Sequence, residues 1–322
     1  MDIGLMVEGQ FGLTWDRWSH ILGLVDRLGF PSLFRSDHYF IGRQQDSLEA
    51  FLSFVLAARE TTNVRFGPMV TPVTFREPVN VGRMAAQIDL LSGGRFVMGL
   101  GAGWNEAEHR VYGLDFYTRP ERFDRLEEAI QLIQQMWRSS DVTFNGRFYQ
   151  TQGINCLPRR EDGSPPILIG GTGERRTLRL VAEYAEEWNS VNLTPETYIR
   201  KRDILEKHCE AIGRDPTTIK HSMMTFGMSG STEAELNRSI KKAMEFMGQL
   251  PQSGERIPST EEFIKTSRAR GLIIGTTEEV IQQLGALGEL GMAEVQFQHM
   301  DLDSDEFPEY LASDIMPKVA RI

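Results

Sequence analysis

In "LFRSDHYF", residues 33–40, two apolar residues run straight into Arg35, Ser36, Asp37 and His38. A histidine titrates near neutral pH and a carboxylate beside it is an acceptor, so the pair has the parts for moving a proton. Neighbouring residues of an extended segment point to opposite faces, so one can face a ligand while the other braces a loop. A second constellation, "IGGTGE" (169–174), sets glycines between an apolar run and a helical pattern. Backbone N–H groups there can approach an anion, and a helix N-terminus favours negative charge. Arg175 and Arg176 follow in what reads as the first helical turn, where cations are unfavourable unless an anion binds nearby. A third, "GLGAGWNEAEH" (99–109), has glycines against which a flat ring can lie, then Trp104 and two carboxylates, Glu106 and Glu108. Each stretch also has a plain structural reading: a histidine bonded to a loop, a glycine cap with solvated arginines, an acidic first turn. His109 reads as structural or surface, and Trp15, Trp18 and Trp137 fall on apolar helical stripes and read as core.

Other chemistries lack their residues. There is no HExxH, no Walker A loop and no GxSxG, and the spacing of histidines and acids suggests no metal site. The two cysteines, Cys156 and Cys209, form no CxxC and read as free thiols in a reducing compartment. With 35 basic and 45 acidic residues the 322-residue chain carries a formal charge of −10, which argues against nucleic acid and anionic membranes as partners. "MDIGLMVEGQ" does not read as a signal peptide, and no apolar run approaches the roughly 20 residues that span a bilayer. The expected location is the cytoplasm.

The elements that must position these residues alternate. Strand patterns at 3–9, 32–38, 64–71, 95–103, 166–171, 188–192, 219–230 and 293–300 are separated by amphipathic helical patterns, among them 15–29, 47–60, 78–94, 121–140, 174–187, 195–212 and 276–291. Residues 142–165 interrupt the alternation with a hairpin, turning at Asn145-Gly146, and a loop. Such spacing implies right-handed βαβ units and a parallel sheet. Eight strands in this length favour a closed (β/α)8 barrel, one domain over 1–322, rather than an open doubly wound sheet with an appendage. Residues 231–275 read as an insertion before the last strand, with extra helices, and as the region expected to be mobile. In a barrel the C-terminal strand ends share one rim. That rim gathers Asp37 and His38, Met69 to Thr71, Gly101 to Glu106, Gly170 to Gly173, Trp188 to Ser190, and Gln296 to His299.

Several stretches together resemble one family: "SDHYF", "TPVTFREPVNVGRMAAQIDLLSGGRFVMGLGAGWNEAEHRVYG", "RPERFDRLEEAIQLI", "FNGRFYQ", "PPILIGGTGERRTLRLVAEYAEEWN" and "GTTEEVIQQL". They are similar to the bacterial luciferase-like oxidoreductases, most of all to the branch that uses the deazaflavin coenzyme F420. The resemblance implies a (β/α)8 TIM barrel with an insertion, a homodimer, and a cofactor ring at the strand C-termini. It implies that Asp37 contacts the ring end of the cofactor and that His38 is the acid/base. Met69 and Val70 would form a bulge with a non-proline cis peptide behind the ring, and Thr71 would line the same wall. Ala102, Gly103 and Ala107 would follow the ring and its ribityl chain, and Gly170, Gly171, Gly173 and Glu174 would hold the phosphate through backbone groups. Trp104 stands where the family's sugar-phosphate dehydrogenases carry a catalytic glutamate. The implied activity is hydride transfer between F420 and a small organic substrate. The alternatives are an FMN-dependent monooxygenase served by a flavin reductase, or a flavin carrier without catalysis.

Overall fold

The computed structural model describes residues 1–41, 46–248 and 260–320. Its elements alternate as the patterning requires. The first half contains β1 (Asp2–Val7), α1 (Trp15–Leu28), β2 (Ser32–Arg35), α2 (Ala50–Glu60), β3 (Arg65–Pro68), β4 (Thr71–Pro72), α3 (Pro78–Ser92), β5 (Met98–Gly101), α4 (Glu106–Tyr112) and α5 (Arg119–Arg138). A hairpin, β6 (Val142–Asn145) with β7 (Gln150–Ile154), follows; then come β8 (Ile167–Gly170), α6 (Thr177–Tyr184), β9 (Glu187–Val191), α7 (Pro195–Ala211) and β10 (Lys220–Phe226). The last part holds β11 (Met228–Gly230), α8 (Glu233–Gly248), α9 (Thr260–Ala269), β12 (Ile274–Thr276), α10 (Thr277–Glu289), β13 (Glu294–His299), α11 (Glu306–Tyr310) and α12 (Met316–Val319).

The main sheet has the order β3-β2-β1-β13-β10-β9-β8-β5-β4, with every named pair parallel. It closes on itself. β4 resumes β3 after a break at Met69 and Val70, and Phe66 bridges to the strand entering β5: its N–H donates to Arg95 O at 3.1 Å and its carbonyl accepts from Val97 N at 2.8 Å. Eight staves therefore make a (β/α)8 barrel, the third stave broken in two. Strands buried on both faces, such as Ile3 to Val7 in β1, are what a covered parallel sheet demands. Met6, Phe34, Met69, Val97 and Leu168 pack together inside the barrel and form a floor under its mouth.

The helices turn their apolar stripes to the sheet. In α1, Trp18, Ile21, Leu22 and Val25 are buried; Thr14 caps the start by accepting from Arg17 N, and Gly29, at φ 76°, ends the helix. Trp15 departs from the expectation: it opens α1 and stays 47% exposed, whereas Trp18 and Trp137 are buried. The stripe places Trp15 on the right face, but the first residue of the helix overhangs what that face covers. The hairpin forms as expected, with Asn145 opposite Gln150. The seventh strand pattern, 219–230, breaks at Gly227; the ring of Phe307 fills the space beside that glycine, and β11 leaves the barrel to pair with β12. The insertion carries α8 and α9, and residues 249–259, which share the expectation of mobility, lie outside the described residues.

Candidate active site

β2 delivers Asp37 and His38 to the rim two and three residues past its last paired residue. Asp37 is buried and receives both guanidinium branches of Arg76, Nη1 to Oδ2 at 2.5 Å and Nη2 to Oδ1 at 3.0 Å, with Thr71 Oγ1 donating to Oδ2 at 2.9 Å. Arg76 lies over the ring of Phe51 and also holds Glu49. Asp37 is thus a clamped carboxylate that ties the β2 loop to the loop after β4.

His38 faces the other way. Its Nδ1 is 2.9 Å from Oε2 of Glu108, whose side chain is fully buried. The second oxygen of Glu108 accepts from Tyr39 N at 2.6 Å and Phe40 N at 3.2 Å. A carboxylate so placed makes Nδ1 the donor and leaves Nε2 as the free lone pair. Burial pulls the His38 pKa down, but the hydrogen bond and charge of Glu108, with Glu8 and Asp37 behind, outweigh it and hold the imidazole above its ordinary value. The ring of Trp104 meets His38 edge-on, centroids 5.4 Å apart. Glu8, just past β1, accepts from Gln10 and from Gln298 of β13, each at 2.7 Å.

A pH dependence follows. Catalysis with His38 as base needs the neutral ring, so its rate should rise with pH through an inflection above the roughly 6.5 of a free histidine. Glu108→Gln keeps a hydrogen-bond partner and removes the charge. It should move that inflection down, and an inflection that stays in place in a kcat/KM profile would remove Glu108 from this role.

The wall opposite is built of glycines. The Met69–Val70 peptide is cis, as the resemblance implies. Val70 stands half-buried in the mouth because β5 and β8 offer no side chains there: a Cβ on Gly101 would come within 2.6 Å of Val70 Cγ2, and one on Gly170 within 3.0 Å of Cγ1. Met69 joins the floor beneath. Gly103, at φ 75°, turns the chain out of β5, and Ala107 lies in the first turn of α4, its N–H on Asn105 Oδ1. Ala102, half-buried, packs against the core.

After β8, Gly171 takes φ 121° and its N–H bonds Asn189 O, while Trp188 Nε1 donates to Gly171 O at 2.8 Å and fixes the loop. Among the described residues no acceptor takes the N–H groups of Thr172, Gly173 or Glu174. The Glu174 carboxylate turns away to Lys201 of α7 at 2.7 Å, so only its backbone belongs to the loop. Here the sequence reading is corrected: α6 begins at Thr177, not 174, so Arg175 and Arg176 precede the first helical turn. Arg176 pairs with Asp124 at 2.8 Å, and Arg175 is exposed.

His109, expected to be structural, has both ring nitrogens engaged, Nδ1 with Asn105 O and Nε2 with Thr74 Oγ1, each at 2.7 Å. Sequence reasoning noted Glu108 only as one of two carboxylates after Trp104, without a partner, and did not single out Arg76 or Glu8. The signal for Glu8 was present: it ends an apolar strand with a charge, as Asp37 does. A separate cavity of about 790 Å³ lies between α8 and α11, lined by His299, Arg238, Lys242 and Tyr310. It contains neither His38 nor the glycine loop. Among the described residues no cluster of three or more His, Cys, Asp or Glu could hold a metal ion, and no helix is long and apolar enough to cross a membrane.

Closed parallel staves, with a carboxylate-bound histidine and a cluster of glycines at one rim, define a (β/α)8 barrel of the kind whose enzymes place their sites at the strand C-termini. Residues 5–294 match the family model for luciferase-like monooxygenases, and the chain belongs to that family of oxidoreductases. By sequence it is similar to the F420-dependent glucose-6-phosphate dehydrogenase of Microbacterium testaceum, 27% identical over 320 residues, covering 92% of this chain and 91% of the relative. By structure it is similar to an F420-dependent secondary alcohol dehydrogenase in complex with an F420-acetone adduct (TM-score 0.82, 19% identity, 99% of this chain and 98% of that one). It is equally similar to the monooxygenase RslO1 from Streptomyces bottropensis (TM-score 0.81, 19% identity, 98% and 99% coverage). The two solved structures bear on the fold.

Proposed function

We propose that this protein moves a hydride between coenzyme F420 and a small organic substrate, with His38 as the group that takes or gives the coupled proton. The observation that carries this reading is the Glu108–His38 pair, which sets a proton acceptor at the same rim of the barrel as Val70 and its glycines. The F420-dependent relative supports the cofactor. So does the fit of the mouth. The Val70 side chain, set in the room that Gly101 and Gly170 leave for it, offers an apolar face to a flat ring. The N–H groups of Thr172 to Glu174 can receive a phosphate, and exposed Arg175 suits an acidic tail. Met69, Thr71, Ala102, Gly103 and Ala107 complete the ring side, with Asp37 at its end and Gly170, Gly171 and Gly173 at the phosphate end.

The deazaflavin, when bound, supplies a carbon that accepts or gives a hydride; the protein supplies orientation and proton transfer. For an alcohol substrate, Nε2 of His38 takes the hydroxyl proton. Glu108 stabilises the imidazolium that results, and its two backbone contacts hold the ring in place as the charge changes. Arg76 holds Asp37 in place through two hydrogen bonds, so the β2 loop does not shift when a ligand enters.

The test is a fluorescence titration of the purified protein with F420 and with FMN. Tight F420 binding and weak FMN binding are the expected result. The reverse order, with oxygen uptake in the presence of a flavin reductase, would make it an FMN monooxygenase. Tight binding of either without turnover that depends on His38 would make it a carrier. We also infer a cytoplasmic homodimer. Exposed Leu52 and Val55 on α2, and Leu90 and Leu91 on its packed neighbour α3, offer apolar side chains to a second copy, and a monomeric mass in solution would refute it.

A further inference from the structure

The geometry points to a neutral alcohol, or its carbonyl partner, carried on an aromatic or alicyclic body, with Trp104 as the wall that holds this body beside His38. The inference rests on the F420 reading and names the substrate class of the same site.

Trp104 is 65% exposed although its ring touches that of His38. A large aromatic left bare at a site mouth is a surface for a ligand rather than for the core. Further aromatic residues follow His38 in the chain. Tyr39, next to His38, stacks on Phe75 with centroids 4.4 Å apart and meets Tyr112 at the same distance; Tyr112 and Val111 of α4 are exposed. The substrate's reacting carbon must lie near His38, so its body meets this surface.

The charges around His38 oppose an anionic substrate. Glu8, Asp37 and Glu108 all act on the imidazole, and exposed Glu106 follows Trp104 by two residues. The arginines beside Asp37 and beside Gly103 are already engaged. Arg76 is held by Asp37 and Glu49. Arg122 donates to the carbonyls of Gly103 and Tyr117 and lies over the Phe116 ring. A phosphate brought to Trp104 would meet carboxylates in a partly desolvated site where Arg76 and Arg122 are already taken. A neutral hydroxyl meets one acceptor, Nε2. In the oxidative direction the O–H proton passes to Nε2, and the hydrogen on the same carbon leaves with its electron pair to the oxidised deazaflavin. The carbonyl forms, and the cofactor is reduced by two electrons.

The experiment uses 1-phenylethanol and glucose 6-phosphate as probes, with wild type, Trp104→Ala and Trp104→Phe. Calorimetry reads the Kd of each probe for the protein, and steady-state assays of the F420-loaded enzyme read KM and kcat. We expect 1-phenylethanol to bind, Trp104→Ala to raise its Kd and KM about 10- to 100-fold with a smaller change in kcat, and Trp104→Phe to recover most of the loss. F420 affinity should not change, and glucose 6-phosphate should bind more weakly than the alcohol. No binding of 1-phenylethanol, an unchanged Kd in Trp104→Ala, or tighter binding of glucose 6-phosphate would overturn the inference. If F420 binds and glucose 6-phosphate turns over through His38, the cofactor reading stands and the substrate class falls. If F420 does not bind but the alcohol binds through Trp104, the reverse holds.

Discussion

Replacing His38 by alanine should leave F420 bound at nearly wild-type affinity and lower turnover about 10²- to 10⁴-fold, the usual contribution of a positioned acid/base. The separation of the two effects follows from where the contacts lie. In the proposed reading the ring surface and the phosphate loop are Val70, Gly101, Gly170 and the N–H groups of 172–174, whereas the hydrogen-bond partner of the imidazole is Glu108. His38→Ala removes only the group whose Nε2 is free. It does leave the Glu108 oxygen that faced Nδ1 without that partner in a buried position, while Tyr39 N and Phe40 N still hold the other oxygen. A fall in thermal stability is therefore expected as well, so turnover must be measured below the new midpoint. His38→Asn, which can keep a donor toward Glu108 but does not titrate, separates the two losses: stability should return, turnover should not. Unchanged turnover in either variant would end the role assigned to His38.

Arg76→Ala is the second large effect. It strips a buried carboxylate of both bidentate bonds and leaves Thr71 as the donor to Asp37. Removing one partner of a buried pair costs about 3–5 kcal/mol, because the remaining charge stays desolvated. In a chain of this length that is a fall of about 5 °C or more in Tm. Cofactor affinity should fall too if Asp37 stands at the ring end of the cofactor, as proposed. Asp37→Asn on the Arg76→Ala background should return part of the stability, because the orphaned charge is gone. Arg76→Lys, with one point of contact, should fall between wild type and alanine. A thermal melt of Arg76→Ala within 1 °C of wild type would show that the clamp contributes little.

The barrel was legible because its pattern is redundant. Eight apolar runs, each long enough for a strand and each followed by a helical stripe, leave few other topologies, and small errors at helix ends do not change the count. The Asp37–His38 pair was legible by incongruity, since charged residues ended an apolar run. Glu108 was not. An acid in the first turn of a helix is what almost any helix shows, and its function appears only when α4 is brought against the β2 loop, 70 residues earlier in the chain. Arg76 was hidden likewise, as its carboxylate is 39 residues away. The glycine loop was found, but its length was misjudged. α6 starts with no side-chain cap, so no residue type marked Thr177 as its beginning. Trp104 was visible as a departure from the family's glutamate, yet its contact with His38 required coordinates.

Strand β1 lies between β2 and β13, with Asp2 opposite Glu294 and Val7 opposite His299. During synthesis, then, the earliest strand waits for the latest. Every nascent chain that stops short of β13 carries β1 with one hydrogen-bonding edge bare and no way to close the ring. Contacts between such distant segments form slowly, and bare edges of apolar strands are where partly folded chains join one another. The closure that leaves the main sheet no exposed edge also makes its assembly wait for β13, and the interval before that strand arrives is the one in which a chaperone would matter most.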